Sequence, residues 1–269
     1  MFDPDQSVFI IAEVGVNHNG DPDLAMELVN IAREVGADAV KFQTFDASAL
    51  VTSRTQKARY QQAVTGNTES QQQMLAKLQL DMEAHYNLMQ RAGELDLLFM
   101  STAFDSQSLR FLVDELTLPV LKIPSGEITN GPLLLEYAKA GRNVVLSTGM
   151  STLAEVQTAL SVLAFGLTGG KLPSIDAFNK AFGSDEGQVA LKRYVTLLHC
   201  TTQYPAPYDS VNLNALRRMQ SAFSLRIGYS DHTPGVTVAC AAVALGARVI
   251  EKHITLDKTL PGPDQAASL

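Results

Sequence analysis

The 269-residue sequence has no tryptophan, only two cysteines, and no apolar run of the roughly 18 residues that a membrane span needs. Cys200 and Cys240 lie far apart and neither belongs to a CxxC pair, which argues against a disulfide framework and against a zinc cluster. The first residues, MFDPDQS, lack the basic segment that begins an export signal. We therefore expect a protein of the reducing cytoplasm, without a membrane anchor.

Positive charge is also scarce. The sequence contains 21 lysines and arginines against 28 aspartates and glutamates, which gives a net charge of -7, and it has no run of basic residues. This balance argues against nucleic acid or an anionic membrane as a partner. An anionic small-molecule substrate would have to meet a few cations that the fold places at one site.

The sequence does contain a regular alternation of short apolar runs and amphipathic helical segments, which is typical of parallel strands joined by helices. A (β/α)8 TIM barrel over residues 1–269 is the predicted fold, and a doubly wound open sheet is the alternative. The predicted strands are residues 8–14, 37–44, 96–102, 118–124, 142–148, 194–201, 225–231 and 247–254.

Three helix beginnings are marked by capping residues. Asp21 precedes Pro22, Ser151 or Thr152 precedes an apolar-periodic segment, and Thr233 precedes another. Each residue type can accept a hydrogen bond from the free N–H groups of a first helical turn. We therefore expect these positions to be the N-caps of barrel helices.

Three segments depart from the regular alternation. Residues 46–80 and 166–193 are interpreted as insertions within the same barrel, since barrel elements flank both. The last residues, TLDKTLPGPDQAASL, are too short and too rich in Pro and Gly to supply an eighth helix. We expect apolar surface near the barrel ends to be left uncovered, and the chain to be a piece of a longer protein.

A polar residue ends the same face of every predicted strand. Alternate residues of a strand point to one side, and the active sites of barrels lie at the carboxyl ends of the strands. We therefore expect these side chains to meet at one mouth. They are Glu13, Lys41 with Gln43, Thr102, Lys122, Ser147, Cys200 with Thr202, Ser230 with His232, and Glu251 with His253.

Lys41 and Lys122 would be costly as unpaired ammonium groups in a desolvated mouth. Carboxylates of the protein, Glu13, Glu127 or Glu251, are one set of candidate partners. The other candidate is a phosphorylated ligand, and nearby hydroxyl groups and turn amides favour it. These groups are Thr102, Ser125, Ser147, Ser230 and the backbone of the turns PSGE and STGM.

His232 and His253 end neighbouring strands on the inward face. Two neutral imidazoles placed in this way can bind one divalent ion and leave positions for water and substrate oxygens. A hydrogen-bonded pair with a structural role is the alternative. Asp231, Asp264 and Glu251 are candidates to support the two rings.

The other three histidines carry weaker expectations. His18 either shapes the turn after the first strand or contacts substrate. His85 belongs to a polar helix and is expected at the surface, whereas His199 should point towards the helical layer.

Nine segments, taken in order, resemble the sialic acid synthase family. The resemblance implies a (β/α)8 barrel followed by a small antifreeze-like domain, assembled as a swapped homodimer. The implied reaction condenses phosphoenolpyruvate with an N-acetylmannosamine-type aldehyde, giving a sialic-acid-type nonulosonic acid and phosphate. The segments are IAEVGVNHNGD, KFQT, MSTAFD, LKIPSGEITN, LSTGMS, LLHCTTQYPAP, IGYSDHT, IEKHITLD and PGPD, spread over residues 10–264.

The resemblance also implies roles for individual residues. His232 and His253 would bind manganese, with Mg²⁺ or Co²⁺ as alternatives, and Glu13 and Glu127 would be catalytic carboxylates beside the reacting carbons. Gln265 stands where many relatives have His and receives no role. Phosphoenolpyruvate would be held by Lys41, Thr102, Lys122, Ser125, Ser147 and Ser230, and the N-acylated hexosamine by Tyr204, Asp264 and Thr202, the last at a position where some relatives have Asn.

Three rival functions are open on the sequence alone. A related phosphoenolpyruvate-dependent 2-keto-3-deoxy sugar acid synthase would need additional arginines at the mouth for a second phosphate. A Schiff-base aldolase would use Lys41 or Lys122 as a nucleophile. A non-catalytic barrel would bind sugar without releasing phosphate.

Overall fold

The computed structural model describes residues 7–269 except 59, 60, 63, 64 and 67. Eight parallel strands follow each other in chain order around a closed barrel, and the last strand pairs with the first. Each predicted strand overlaps one observed strand, and only β1 and β3 extend one residue beyond the predicted range, so the predicted (β/α)8 barrel is confirmed. The strands are β1 (Phe9–Gly15), β2 (Ala39–Thr44), β3 (Leu98–Ala103), β4 (Val120–Ile123), β5 (Asn143–Ser147), β6 (Val195–Cys200), β7 (Arg226–Asp231) and β8 (Val249–His253).

Most of the helices lie outside the barrel, whereas α2 and α3 lie at its mouth. Residues 46–80 hold α2 and α3, and residues 166–193 contain α8 and α9. In the described part of the chain, no helix is long and apolar enough to cross a membrane. The helices are α1 (Pro22–Glu34), α2 (Ala47–Leu50), α3 (Gln71–Leu78), α4 (Met82–Glu94), α5 (Ser106–Arg110), which continues as a π-helical turn (Phe111–Glu115), α6 (Gly131–Lys139), α7 (Leu153–Leu167), α8 (Ile175–Phe182), α9 (Asp185–Tyr194), α10 (Asn214–Phe223) and α11 (Thr237–Ala244).

Two of the three predicted helix caps are confirmed. The Asp21 carboxylate accepts from the first N–H groups of α1. Thr152, of the two candidates before α7, forms a reciprocal capping box with Glu155. Both caps satisfy donors that have no partner within their helix.

The predicted cap at Thr233 is wrong. The α11 helix begins four residues later, at Thr237, with Val236 at the cap position and no side-chain cap. The Thr233 hydroxyl instead donates to Asp231, 2.8 Å away. Gly235 follows in a left-handed conformation, with φ of 71°, so the chain turns again before it can enter a helix.

Apolar side chains fill the barrel lumen. Alternate residues of the strands form this inner cluster, which confirms the inward direction assigned to them. A larger core lies between the strands and the helices. Above the inner cluster, towards the carboxyl ends of the strands, the inward residues are polar. The inner cluster consists of Phe9, Ile11, Ala39, Met100, Val120, Val145, Leu198 and Val249.

Residues 254–269, which follow β8, lie across the β1 side of the barrel mouth; we refer to them as the terminal segment. Asn17 makes the main hydrogen bonds between this segment and the barrel. Its side-chain amide donates to the Ile254 carbonyl and to the Ser268 hydroxyl, each at 2.8 Å. The Gln265 amide donates back to the Asn17 carbonyl at 3.0 Å. These contacts bring Asp264 to the edge of the mouth.

Candidate active site

A cavity of about 560 Å³ opens at the carboxyl ends of the strands. Every residue predicted for the site lines it, including those from the loops after β4, β6 and β8. Parallel strands place their carboxyl ends on one side of the barrel, so residues far apart in sequence meet there. The predicted residues in the wall are Glu13, Lys41, Thr102, Lys122, Ser125, Glu127, Ser147, Thr202, Tyr204, Ser230, His232, His253 and Asp264.

Four buried charges form a network on the cavity floor. Lys41 Nζ lies 2.5 Å from a Glu13 carboxylate oxygen and 3.6 Å from Glu251. Lys122 Nζ lies 3.7 Å from the same Glu251, and the Ser230 hydroxyl donates to Glu251 at 2.8 Å. Glu251 thus lies between the two lysines and offsets part of the cost of burying them.

Hydroxyl groups surround the two ammonium groups. Lys41 Nζ donates to Thr102 Oγ1 at 3.1 Å, and Lys122 Nζ donates to Ser147 Oγ at 2.7 Å. All four side chains are buried below the cavity mouth. The arrangement presents two cations and two hydroxyls to one volume, which is the donor set that a phosphate group requires.

Burial and the neighbouring charges shift the pKa values of these groups in opposite directions. Burial raises the pKa of Glu13 to about 7, although Lys41 opposes the shift. Burial would also raise the pKa of Glu251, but Lys122 and Lys41 outweigh it and lower the value to about 2. Glu251 is therefore ionised at neutral pH, and Glu13 can exchange a proton near neutral pH.

The two lysines differ in the same way. Burial lowers the pKa of Lys122. Burial also disfavours the charged form of Lys41, but Glu13 and Glu251 reverse this effect and raise its pKa. The neighbouring carboxylates therefore keep Lys41 protonated. They offset less of the burial cost of a charged Lys122, so an anionic ligand would stabilise the charged form of Lys122 more than that of Lys41.

His232 and His253 face each other across the β7–β8 edge of the mouth, with ring centroids 5.4 Å apart. His232 Nδ1 lies 2.5 Å from the Thr201 carbonyl oxygen. Because a carbonyl can only accept, Nδ1 carries the proton of the neutral ring and Nε2 carries the lone pair. Ser230 is 3.4 Å from that nitrogen but directs its proton to Glu251, so the Nε2 lone pair is not used by a strong donor.

The environment of His253 also suits a metal ligand. Its Nδ1 is buried without a hydrogen-bond partner, and Asp264 Oδ2 lies 3.9 Å from it. Burial lowers the pKa of His253 well below its usual range and that of His232 to about 4, so both rings are neutral at pH 7. Neutral imidazoles with unused lone pairs fit a divalent ion. Among the described residues, no group of three or more His, Cys, Asp or Glu side chains forms a complete protein-only metal site.

Asp231 was a candidate to support the two histidine rings, but its carboxylate has other partners and does not reach into the cavity. It lies on the outward face of β7, fully buried, and pairs with Lys252 of β8 at 3.0 Å. Lys252 points outward, as predicted, and also donates to the Thr233 carbonyl. This ion pair joins the two strand ends directly behind the imidazoles.

The remaining predicted residues form the outer part of the wall. The Tyr204 ring centroid is 4.0 Å from that of His232 and 5.6 Å from that of His253. Burial raises the pKa of Asp264 to about 6. Glu127, which was a candidate partner for the lysines, accepts from the Asn130 side chain at 2.7 Å. Thr202 contributes its side chain to the same wall.

The expectation that His85 lies at the surface is wrong. Its side chain is buried between α4 and β2, where Nδ1 donates to the Asp81 carbonyl and Nε2 accepts from Thr44. His18 shapes a turn, because its Nδ1 accepts from the Gly20 N–H at 3.0 Å. His199 points to the helical layer as predicted and donates to the Val211 carbonyl.

Sequence reasoning missed several residues of the cavity wall. Gln43 and Cys200 line it too, but their inward positions on β2 and β6 had already placed them at the mouth, without a role. Gln61 and Met74 also line it, from the segment 46–80. Their position depends on how that segment folds over the mouth, which no strand periodicity reveals.

The fold and this cavity define a class: a (β/α)8-barrel enzyme whose polar residues at the strand ends surround a cavity at the mouth of the barrel. Comparison with known proteins gives the family. The model of the NeuB family matches residues 28–269. The chain therefore belongs to the NeuB family.

Several relatives of this chain have names that describe them as synthases. The N,N'-diacetyllegionaminic acid synthase of Campylobacter jejuni is 48% identical over 264 residues, which cover 98% of this chain and 72% of that protein. The protein of the same name from Legionella pneumophila is 48% identical over 261 residues, covering 97% of this chain and 67% of its own. Human N-acetylneuraminate-9-phosphate synthase is 34% identical over 268 residues, which cover 97% of this chain and 66% of the human protein.

A solved structure supports the same relationship. The N-acetylneuraminic acid synthetase of Leptospira borgpetersenii, in complex with citrate, superposes with a TM-score of 0.79 at 32% identity, covering 98% of this chain and 78% of that one. A truncated 3-deoxy-D-arabino-heptulosonate 7-phosphate synthase from Thermotoga maritima has a TM-score of 0.62 at 14% identity, which shows a shared barrel fold alone.

Proposed function

We propose that the protein condenses phosphoenolpyruvate with an N-acylated hexosamine of the N-acetylmannosamine type, giving a nonulosonic acid and inorganic phosphate. One observation carries the proposal: a buried cavity combines two lysines, hydroxyl donors and a pair of neutral histidines. The lysines suit a phosphorylated substrate, and the histidines suit the electrophile beside it. Membership of a family whose named relatives are acid synthases supports the same reaction.

The identities favour a legionaminic-type product over the other nonulosonic acids. Two N,N'-diacetyllegionaminic acid synthases share 48% of their aligned residues with this chain. The human N-acetylneuraminate-9-phosphate synthase shares 34%, and the pseudaminic acid synthase of Helicobacter pylori shares 32%. The acceptor would then be a diacetylated hexosamine.

His232 and His253 would hold a divalent ion, Mn²⁺ in the first place, with Mg²⁺ or Co²⁺ as alternatives. When bound, such an ion would supply Lewis-acid polarisation of the aldehyde oxygen. Support comes from the donor set: the His232 Nε2 lone pair is fixed by the Nδ1 contact with Thr201, and His253 Nδ1 has no other partner. Substrate and water oxygens would complete the coordination.

The protein's own side chains account for the other steps. Lys41 and Lys122, with Thr102 and Ser147, bind the phosphate and stabilise its departure electrostatically. Carbon 3 of phosphoenolpyruvate forms a bond with the aldehyde carbon, whose oxygen takes up a proton and becomes a hydroxyl. Water adds at carbon 2, and when the bond from that carbon to the phosphate oxygen breaks, the added oxygen becomes the ketone and its remaining proton leaves with the phosphate. Glu13, whose pKa of about 7 allows proton exchange, accepts the proton of that water.

The test is a phosphate-release assay with phosphoenolpyruvate and a panel of N-acylated hexosamines, run with and without EDTA. We expect metal-dependent release with the diacetylated acceptor. His253→Ala should abolish the metal-dependent turnover and leave the far-UV circular dichroism spectrum unchanged. His199→Gln is the matched control, because His199 lies outside the barrel lumen. Unchanged turnover in His253→Ala would refute the metal assignment.

Two rival functions receive less support. A second substrate phosphate would need further cations, and among the described residues that line the cavity there is no arginine. A Schiff-base aldolase has one specific observation in its favour, the lowered pKa of Lys122. Trapping of pyruvate on Lys122 by borohydride, together with insensitivity to EDTA, would support the aldolase and overturn our proposal.

A further inference from the structure

Ser125 has two protein neighbours that determine where its hydroxyl proton can point. The Gly149 N–H donates to Ser125 Oγ at 2.8 Å, and the sulfur of Cys200 lies 3.2 Å from the same oxygen. Cys200 is the inward residue that follows Leu198 on β6, is 6% exposed, and lines the cavity beside Ser125. The thiol therefore faces the site at which the phosphorylated substrate is expected.

The hydroxyl group has two lone pairs and one proton, and this limits the arrangements. Gly149 occupies one lone pair. If the Ser125 proton pointed to sulfur, the remaining lone pair of Oγ would face the ligand and would repel an anion. If the thiol donates instead, both lone pairs are filled and the proton is directed into the cavity, where it can be donated to an oxyanion.

Close packing preserves this geometry. A Cβ atom at Gly149 would lie 2.6 Å from the Thr202 methyl carbon and 2.9 Å from both the Cys200 sulfur and the Ser125 oxygen. The absence of a side chain at Gly149 is what lets its N–H reach Ser125. Because the sulfur would be that close to the added Cβ, the Cys200 thiol is packed against the same backbone.

We infer that Cys200 is a positioning residue: its thiol donates to Ser125 and, together with the Gly149 N–H, makes the Ser125 hydroxyl an obligate donor to the anionic substrate. Cys200 acts through Ser125 and has no covalent role. The inference rests on the proposed function, because phosphoenolpyruvate is the anion it assumes.

A double-mutant cycle tests the inference. The dissociation constant of phosphoenolpyruvate is measured by titration calorimetry for the wild type, Cys200→Ala, Ser125→Ala and the double variant. We expect each single change to weaken binding about three- to tenfold, which is the value of one hydrogen bond. The double variant should bind no more weakly than Ser125→Ala, because residues that act through one contact are not additive. Additive losses would overturn the inference, since they indicate packing alone.

Steady-state kinetics provide the second readout. Cys200→Ser keeps a donor and should restore most of the affinity, whereas Cys200→Val has nearly the volume of cysteine, has no donor, and should behave like Cys200→Ala. In both donor-free variants KM for phosphoenolpyruvate should rise, while kcat and KM for the hexosamine change little. Cys240→Ala, at an exposed position, is the matched control. Wild-type affinity in Cys200→Val would overturn the inference.

The outcomes separate the inference from the proposed function. If the wild type binds phosphoenolpyruvate and releases phosphate but the cycle is additive, only the role of Cys200 fails. If the wild type neither binds phosphoenolpyruvate nor releases phosphate, the proposed function and this inference are both overturned.

Discussion

At the scale of single residues, Glu251 is the carboxylate that compensates both buried lysines of the cavity. One buried carboxylate contacts both lysines of the cavity and accepts from Ser230. Removing one partner of a buried ion pair leaves the other charge uncompensated, which costs more than the pair contributes. The folded state without substrate therefore depends on Glu251 to tolerate two ammonium groups at one site.

Glu251→Gln should lower the free energy of unfolding by about 3 kcal/mol, because the buried lysines lose their shared counter-charge. Urea unfolding monitored by circular dichroism measures the change. Phosphoenolpyruvate should recover part of the loss, since it supplies anionic oxygens to the same lysines. Glu94→Gln removes a surface partner of Arg91 and is the control, for which little change is expected. Equal effects of the two substitutions would contradict this account.

His18 gives a prediction that depends on pH. Burial lowers its pKa from 6.5 to about 4, so the folded state favours the neutral ring. A folded-state pKa below the unfolded value stabilises the protein above pH 6.5, and this stabilisation is lost as the pH falls towards 4. We expect the wild type to lose about 3 kcal/mol over this range through His18 alone.

The check is the free energy of unfolding of the wild type and of His18→Asn between pH 4 and pH 7. Asparagine retains an acceptor for the Gly20 N–H but does not titrate. The difference between the two proteins should shrink, or reverse in favour of the variant, as the pH falls. Parallel pH profiles would show that His18 does not titrate as its burial implies.

Sequence periodicity predicted the direction of the site residues but not their partners. The alternation along a strand fixes whether Lys41 or Glu251 points inward. It does not fix the height of each residue above the lumen, so it left open whether Lys122 would pair with Glu127 or with Glu251. His85 was wrongly expected at the surface because the sequence of its helix is polar. The ring can be buried because both of its nitrogens form hydrogen bonds within the protein.

At the scale of elements, the terminal segment carries Asp264 to the mouth and is held largely by Asn17. Both hydrogen bonds of the Asn17 amide are buried and join residues more than two hundred positions apart in the chain. Losing them leaves the Ile254 carbonyl without this donor. The position of Asp264 relative to His253 therefore depends on a side chain from the loop after β1.

Asn17→Ala should lower the free energy of unfolding by about 2 kcal/mol. It should also raise KM for the hexosamine more than KM for phosphoenolpyruvate, because Asp264 lies at the outer wall and the lysines lie on the floor. Steady-state kinetics with each substrate varied in turn measure the two effects. Asn30→Ala is the control. Asn30 lies on α1, and its side chain accepts a hydrogen bond from Arg91. Equal changes in both KM values would contradict the assignment of the segment to the sugar side.

The beginning of a helix was predictable where a hydrogen bond between residues close in sequence determines it. Thr152 and Glu155 form their capping box within four residues, so the sequence contains the whole signal. Thr233 carries the same residue type, but its hydroxyl donates to Asp231, two positions earlier, and Asp231 in turn is held by Lys252 of the next strand. A capping prediction cannot anticipate that competition.

At the scale of the whole molecule, the cavity floor is made by strands that belong to one closed ladder. A ligand that binds this floor contacts residues from several strands at once. It therefore binds the folded state and has no comparable site on the unfolded chain. Binding energy should appear directly as stability of the whole barrel.

Phosphoenolpyruvate at a hundred times its dissociation constant should stabilise the folded state by about 2.7 kcal/mol. For a chain of this size, the shift in Tm should be about 5 to 10 °C. Differential scanning fluorimetry measures the shift. Lys122→Met should reduce it to near zero at the same ligand concentration, while Lys77→Met, at an exposed lysine of α3, should leave it intact. A full shift in Lys122→Met would exclude that lysine from the binding site.

The barrel itself was the most predictable level. Eight apolar runs separated by helical segments constrain the architecture, because parallel neighbours need helical crossovers of this length. The positions of Gln61 and Met74 at the mouth were not predictable, because they depend on contacts between the segment after β2 and the barrel and not on strand periodicity.

The ion pair between Lys252 and Asp231 has a consequence for how this protein can change over evolutionary time. It lies one residue along each strand from His253 and His232, on the side of the sheet that substrate never reaches. A substitution that loosens the pair would shift both imidazoles together without altering any cavity side chain. Under the proposed metal assignment, adaptation to a different ion can therefore begin on the outward face of the sheet, and a mutant library confined to the cavity wall would miss that route.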